Sequence, residues 1–550
     1  MKKKKRLSMR SMAAVLLVFT LAGMALLSAC SSGSNSPSNN TPSTGNTDQT
    51  DNNTASQTDN QTGNQTNEPA VEPEKQEEPT SISIMTQFYG EEPPGPDNVV
   101  IKEVEKRTNT KLTITWVSPN SYNEKVNVTL ASGDMPDLTL IGDNFAQNVR
   151  TMVTQGAFWE LGSYIKDYPN LNAYPKEAWE NTKYQDGKIY AIPRVRGLDG
   201  GLASVRKDWL DKLNLPVPKT IDELYKVMQA FTNDDPDGNG KKDSVGLVGS
   251  IGADGLGLGS FAPILNAFQG ANDGWKVDDS GKLVNMVTDK STKDALAWLS
   301  KAYKEGLIHS DFATLKNTQA REAVMASKAG IAFEAVSAAW VMTEGIRTTN
   351  PAGDMLPLVS LTGPGGTPYV GKGVGFNGVF AIPKSVSEEK MKKILAFLDY
   401  GASEEGYELG AYGFKDVHFT KDGDFYVQTE QAKKDIVSTS AFGQIFTRYD
   451  QYAYAKAPNI PADYYNRNKS IVDEIGKVSV SNPSFGLYSE TWTKYRNDFL
   501  KKITDLQVKI MLGTEPLDKW DAFTAELLAD PNWNKSLEEL NDAYHKKAGK

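Results

Sequence analysis

Cysteine is nearly absent: the 550-residue chain has one, Cys30. A lone cysteine makes no intrachain disulfide and no cysteine-based metal site. Histidine is almost as scarce. His309, His418 and His545 lie in no metal-binding pair and beside no nucleophile motif. Gly-x-Ser-x-Gly, His-Glu-x-x-His and P-loop patterns are missing as well, so the common nucleophilic, zinc and phosphate-cradling chemistries have no handle in the sequence. Long apolar runs are limited to Met12–Leu27, and no later stretch is long enough to span a bilayer.

That run follows Lys2 to Lys5, Arg6 and Arg10, is shorter than a comfortable membrane span, and ends at Leu27-Ser28-Ala29-Cys30. The alternative is a chance cysteine at the end of an uncleaved anchor. The segment resembles a bacterial lipoprotein signal. The resemblance implies that residues 1–29 are removed and that Cys30 becomes a diacylglyceryl-modified N-terminus. Two acyl chains suffice for stable anchoring where one does not. Residues 31 to about 79 are Ser, Asn, Thr, Gln, Gly and Pro, then glutamate, with almost nothing to bury. Residues 30–79 are therefore expected to be the lipidated cysteine and a disordered tether that lifts a folded body off the extracellular face of the cell membrane. Removing 1–29 takes away six basic residues and no acidic one, leaving 54 basic against 69 acidic, a net charge of −15. Such a body argues against nucleic acid as a partner.

About 470 residues remain, enough for two domains. Ser81–Met85 alternates as a strand, 98–106 reads as an amphipathic helix, and Lys111–Val117 as a second strand. Tyr122–Ala131 reads as a helix and Pro136–Ile141 as a third strand. Strand and helix in alternation predict a parallel sheet covered by helices, with ligands beyond the carboxyl ends of the strands. A set of short segments in order then carries a resemblance. They are Gly133-Asp134-Met135-Pro136-Asp137, Asp186 to Pro193, Val205-Arg206-Lys207-Asp208-Trp209-Leu210, Lys328-Ala329-Gly330-Ile331-Ala332, Phe380-Ala381-Ile382-Pro383-Lys384 and Gly513-Thr514-Glu515-Pro516-Leu517 with Trp520. Together they resemble family 1 of the extracellular solute-binding proteins of sugar-type ABC importers, in particular the large lipoproteins near the alginate-oligosaccharide binders.

The resemblance implies a two-lobed, periplasmic-binding-protein-like α/β fold of type II, with hinge crossings and a ligand cleft between the lobes. The first lobe would be about 80–195 plus 376–435 and the second about 196–375 plus 436–550. The first crossing would run near Ala191–Gly200, where Gly197, Gly200 and Gly201 offer backbone latitude. The implied function is capture of an oligosaccharide or polysaccharide fragment by a monomeric, lipid-anchored binder, and its delivery to an ABC transporter permease, without catalysis. A peptide-binding or sensory receptor of the same fold is the alternative, and a glycoside hydrolase or lyase is a further rival, because an acidic chain has carboxylates to spare.

Asp235-Pro236-Asp237-Gly238-Asn239-Gly240-Lys241-Lys242-Asp243 places oxygen-bearing side chains at positions 1, 3, 5 and 9 of a calcium loop, glycine at 6, and the Lys241 carbonyl at 7. Position 12 is Gly246 rather than glutamate, and a solvated Asp/Gly/Asn turn is the plain alternative. The resemblance adds a structural calcium in a similar loop, although Ser244 stands where that subgroup often has glutamate.

All ten Trp, and most of 22 Tyr and 20 Phe, fall in the body. A sugar needs flat aromatic platforms for its C–H faces and planar polar groups for its hydroxyls. Candidates past the ends of expected strands are Gln87, Phe88 and Tyr89, then Asp143 and Asn144, then Arg194 and Arg196. Later candidates are Glu334 and Trp340, Asn377 in a glycine-rich stretch, Tyr412, and the cluster Arg448, Tyr449 and Tyr452. For each, core packing is the competing role. Trp209, Trp298 and Trp520 read as structural.

Overall fold

The computed structural model describes residues 77–548 except 90, 91, 201, 202, 253, 254, 424, 436–441 and 458. The signal segment, Cys30, most of the tether and Gly201 lie outside the described residues.

The first lobe starts with β1 (Thr80–Gln87), whose Ile82 and Ile84 turn inward, as the alternation requires. Helix α1 (Val99–Thr108) is started by the Asn98 carboxamide, which accepts from the amides of Val100 and Ile101. It stops at Asn109, in the left-handed region at φ 48°. Strand β2 (Thr110–Val117) then pairs with β1 in parallel from Thr80↔Thr110 to Gln87↔Val117. Helix α2 (Tyr122–Ser132) ends at Gly133 with φ 73°, and the chain descends into β3 (Leu138–Ile141), buried at all four residues. Asp137 fixes that descent. One of its carboxylate oxygens accepts from the backbone and hydroxyl of Ser83, each at 2.8 Å, and from Lys390 Nζ at 2.8 Å. After α3 (Gln147–Thr154), β4 (Ala191–Val195) closes the sheet. The order is β2, β1, β3, Phe376–Ala381, β4, with the strand Phe376–Ala381 returning antiparallel to both neighbours.

The second lobe carries a sheet ordered Met355–Pro357, β5 (Ser204–Arg206), Ala329–Ala332, β6 (Val245–Val248). Arg206 is fully buried behind it. Its guanidinium grips the Asp208 carboxylate at 2.6 and 2.8 Å and lies 4.3 Å over the Trp209 ring. Trp209 meets Phe231 edge to face at 5.2 Å, and a Cβ on Gly330 would fall 2.2 Å from Phe231. The segments 205–210 and 328–332 are therefore a packing unit of this lobe. Trp520 is likewise buried, and Trp298 meets Tyr225 edge to face at 5.1 Å.

One core draws on 82–195 and 379–446, the other on 203–370 and 455–511, so the chain crosses between lobes three times. The crossings are tied together. Gly373 donates its amide to the Leu198 carbonyl at 2.7 Å, and Arg196 donates its amide to that of Gly375 at 2.9 Å. Gly197 and Gly200 both face the ring of Tyr454, and a Cβ on Gly197 would sit 2.9 Å from it. Neither glycine has positive φ. Their role here is close approach rather than backbone latitude. Helices Glu490–Met511, Lys519–Ala529 and Pro531–Lys547 add a smaller aromatic core around Phe499 and Trp533. Among the described residues, no helix is long and apolar enough to cross a membrane.

Candidate functional site: a cleft lined by aromatic rings and carboxamides

A cavity of about 1320 Å³ opens beyond the carboxyl ends of β1 and β3. Five of the residues expected from sequence line it: Gln87, Tyr89, Asp143, Asn144 and Asn377. Tyr89 is 53% exposed, and its hydroxyl donates to Gln87 Oε1 at 2.8 Å. Asn144 is buried, and its amide is committed to the Thr182 carbonyl at 3.2 Å. Asp143 accepts from Arg496 at 3.1 Å.

Residues that sequence reasoning did not single out complete the wall. Phe485 meets Phe145 and Phe376 edge to face with centroids at 5.7 and 6.2 Å, and Trp275 meets Trp492 at 5.8 Å. Arg150 is buried, donating Nε to the Phe145 carbonyl at 2.9 Å and Nη2 to the Leu487 carbonyl at 3.2 Å. Its guanidinium stands 4.6 Å from the Phe145 centroid and 5.2 Å from that of Tyr488. Burial lowers its pKa. Asp273 adopts φ 51° and opens onto the cavity, yet the protein around it desolvates its carboxyl and raises its pKa, against the pull of Asn482 and Arg496. Positive φ at a non-glycine residue costs backbone energy, which marks Asp273 as a position held by its surroundings.

The other sequence candidates do not line this cavity. Trp340 is 5% exposed and packs in the second core against Tyr464, because its helix Val336–Arg347 turns Val336, Ala339, Trp340 and Thr343 inward. Phe88 is half-buried, its amide bound to the Val117 carbonyl at 3.2 Å. Glu334 is taken up by Arg321, whose Nε lies 2.8 Å from both carboxylate oxygens. Tyr412 stacks flat on Tyr426 at 4.1 Å. Tyr449 leans on the first core, Tyr452 donates to Asp473 at 3.0 Å, and Arg448 is exposed. Arg194 is buried behind the cavity wall, donating to the Asn377 carbonyl at 2.6 Å and to Gln444 Oε1. Burial, and then the neighbouring Arg196, lower its pKa to about 10. Arg196 reaches the same Gln444 oxygen at 3.3 Å. Neither arginine lines the cavity, and Arg194 braces its wall through the Asn377 carbonyl.

The acidic loop is an exposed turn on the second lobe. Asp235 accepts the amides of Gly238, Asn239 and Gly240 at 3.0–3.1 Å. Asn239 Nδ2 donates to Asp237 at 2.8 Å and to Asp243 at 3.0 Å, so the side-chain oxygens converge on one electropositive group. Hard oxygens around a tight turn suit calcium chemically. Position 12 departs from the pattern. Gly246 offers no side-chain oxygen, and a Cβ there would lie 2.6 Å from Met228. Among the described residues, no three of His, Cys, Asp or Glu come together closely enough to hold a metal ion.

Two open sheets, three crossings and a cleft beyond the strand ends define a two-lobed solute-binding protein. The chain belongs to the bacterial extracellular solute-binding proteins, whose family model matches residues 90–408. It is 35% identical over 459 residues to the polygalacturonan/rhamnogalacturonan-binding protein YtcQ of Bacillus subtilis (strain 168), covering 80% of this chain and 88% of that one. It is 31% identical to the lipoprotein LipO of the same strain, covering 84% of this chain and 92% of that one. In fold it is similar to the S. pneumoniae ABC-transporter substrate-binding protein FusA in complex with kestose, with TM-score 0.66, 21% identity, and coverage of 86% of this chain and 100% of that one. FusA has also been solved as an EF-hand mutant, at TM-score 0.64 and 21% identity, covering 86% of this chain and 100% of that one.

Proposed function

We propose that this protein captures an oligosaccharide outside the cell and delivers it to the permease of an ABC importer. The observation that carries the reading is the cleft wall: aromatic rings (Tyr89, Phe376, Phe485, Trp492) alternate with carboxamides (Gln87, Asn377, Asn482) around about 1320 Å³. Rings accept the C–H faces of a sugar, and carboxamides both donate to and accept from its hydroxyls. That volume exceeds the usual range for a small-ligand site and suits several linked rings. The YtcQ relative directs the choice of ligand to pectin-type chains. Arg150 and Arg496 offer the cations that uronate carboxylates would need.

The two lobes move as units about the three crossings. A ligand that touches both stabilises the closed form by its differential affinity, and the closed form is what the permease reads. Cys30 carries the lipid that keeps the protein at the membrane, a role supported by the LipO relative. The loop 235–243 holds a structural calcium through Asp235, Asp237, Asn239, the Lys241 carbonyl and Asp243, a reading supported by the EF-hand of FusA. Calcium there would tie the turn to β6 and do no chemistry.

The test is titration calorimetry of the protein with galacturonan and rhamnogalacturonan oligomers, with short peptides as the control. Binding of oligomers alone is expected. Binding of peptides, and of no glycan, overturns the proposal.

A further inference from the structure

The cleft does not end at its own wall. Asn127, Leu130, Gln147 and Asn148 line the main cavity, and the same four residues line a second hollow of about 370 Å³, completed by Ala131, Thr151 and Met152. The hollow is an annex of the cleft. Every residue in it comes from α2 or α3. Positions 127, 130 and 131 share one face of the first helix, and 147, 148, 151 and 152 share one face of the second.

Its chemistry differs from that of the main cavity. The cleft holds Arg150, Arg496, Asp143 and Asp273, whereas no charged side chain lines the annex among the described residues. Its floor is apolar, from Leu130 and Met152. Its rim carries exposed carboxamides, with Asn148 Nδ2 donating to Asn127 Oδ1 at 2.9 Å. An apolar floor under a rim of neutral donors and acceptors fits a sugar ring presenting hydroxyls. The volume lies near the lower end of the range for small-ligand sites, room for roughly one or two rings. Because both helices belong to the first lobe, the annex does not depend on the second lobe for its walls.

We infer that the groove between α2 and α3 is an additional subsite, taking neutral sugar units at the end of a ligand longer than the main cleft. The inference rests on the oligosaccharide reading and deepens it. The annex shares four lining residues with the cleft, so a chain held by its charged part between the lobes can run its tail out over the first lobe.

A size-graded series of rhamnogalacturonan oligomers, titrated by calorimetry, tests this. In the natural protein, affinity should rise about three- to tenfold when units are added beyond the length that fills the main cleft. Ala131→Trp, at an exposed position that lines the annex and not the main cavity, should remove that increment and leave shorter oligomers unaffected. Thr151→Trp, which fills the groove from an exposed position, should do the same and guards against an indirect effect of the first variant. If oligomers bind and the increment is absent, or is equal in the natural protein and both variants, the annex is not a subsite and the oligosaccharide reading stands. If no oligomer of any length binds, that reading falls and this one with it.

Discussion

The Arg150 guanidinium donates to the carbonyl of Leu487, 337 residues further along the chain. It does so while packed between the rings of Phe145 and Tyr488. This arginine joins α3 of the first lobe to the segment that leads into the C-terminal helices, and it lines the cleft where they meet. Arg150→Met should keep much of the apolar packing and lose both carbonyl contacts. Glycan affinity should fall by about 1.5–3 kcal/mol, the value of hydrogen bonds to a charged group. Calorimetry measures the loss, and an unchanged far-ultraviolet dichroism spectrum confirms the fold.

Tyr89 and Trp340 should answer differently to the same change. Tyr89→Ala removes an exposed cleft platform, so affinity should drop while the melting temperature stays within error. Trp340→Ala empties a core position, so stability should fall by about 3–5 kcal/mol. Thermal melts and ligand titration on both variants check this, and a large loss of stability in Tyr89→Ala would contradict the placement of that ring.

Much of the first lobe was legible locally. Alternation at Ser81–Met85 and a glycine stop at Gly133 are one-dimensional signals, and the structure follows them to within two residues. Gln87, Tyr89, Asp143 and Asn144 were reachable because ligand sites gather past the carboxyl ends of strands, and Asn377 because a glycine-rich stretch marks its place. Trp275, Phe485, Trp492 and Arg496 were not, because long-range packing brings them to the cleft. Trp340 could have been read as core, since Val336, Ala339, Trp340 and Thr343 recur at helical spacing on an apolar face. Tyr412 could not, since the stacking partner that covers it is fourteen residues away on a hairpin strand.

Asp137 makes stability depend on pH. Burial alone would raise its pKa, but Lys390 and the two Ser83 donors outweigh that and lower it. A carboxyl with a depressed folded-state pKa stabilises above its unfolded value, near 3.9, and that stabilisation is lost as pH falls through the folded value. Asp137→Asn should therefore cost about 1–3 kcal/mol at neutral pH, with the gap to the natural protein closing below about pH 4. Urea melts at pH 7 and pH 3 report the difference, and a gap that widens in acid would refute it.

Calcium should raise the melting temperature and a chelator should lower it. An ion at a hundred times its dissociation constant stabilises the folded state by about 2.7 kcal/mol. Asp235→Asn together with Asp237→Asn should abolish the response while glycan affinity is retained. A melting temperature indifferent to both calcium and chelator would leave the loop as a solvated turn.

The ring of Tyr454 against Gly197 and Gly200 has an evolutionary corollary. Side chains at 197 or 200 and an aromatic ring at 454 compete for one volume, so these positions cannot drift independently. A relative that carries alanine or serine at the place of Gly197 should carry a smaller residue at the place of Tyr454. A lineage that changes the pair in two steps should pass through a less stable intermediate.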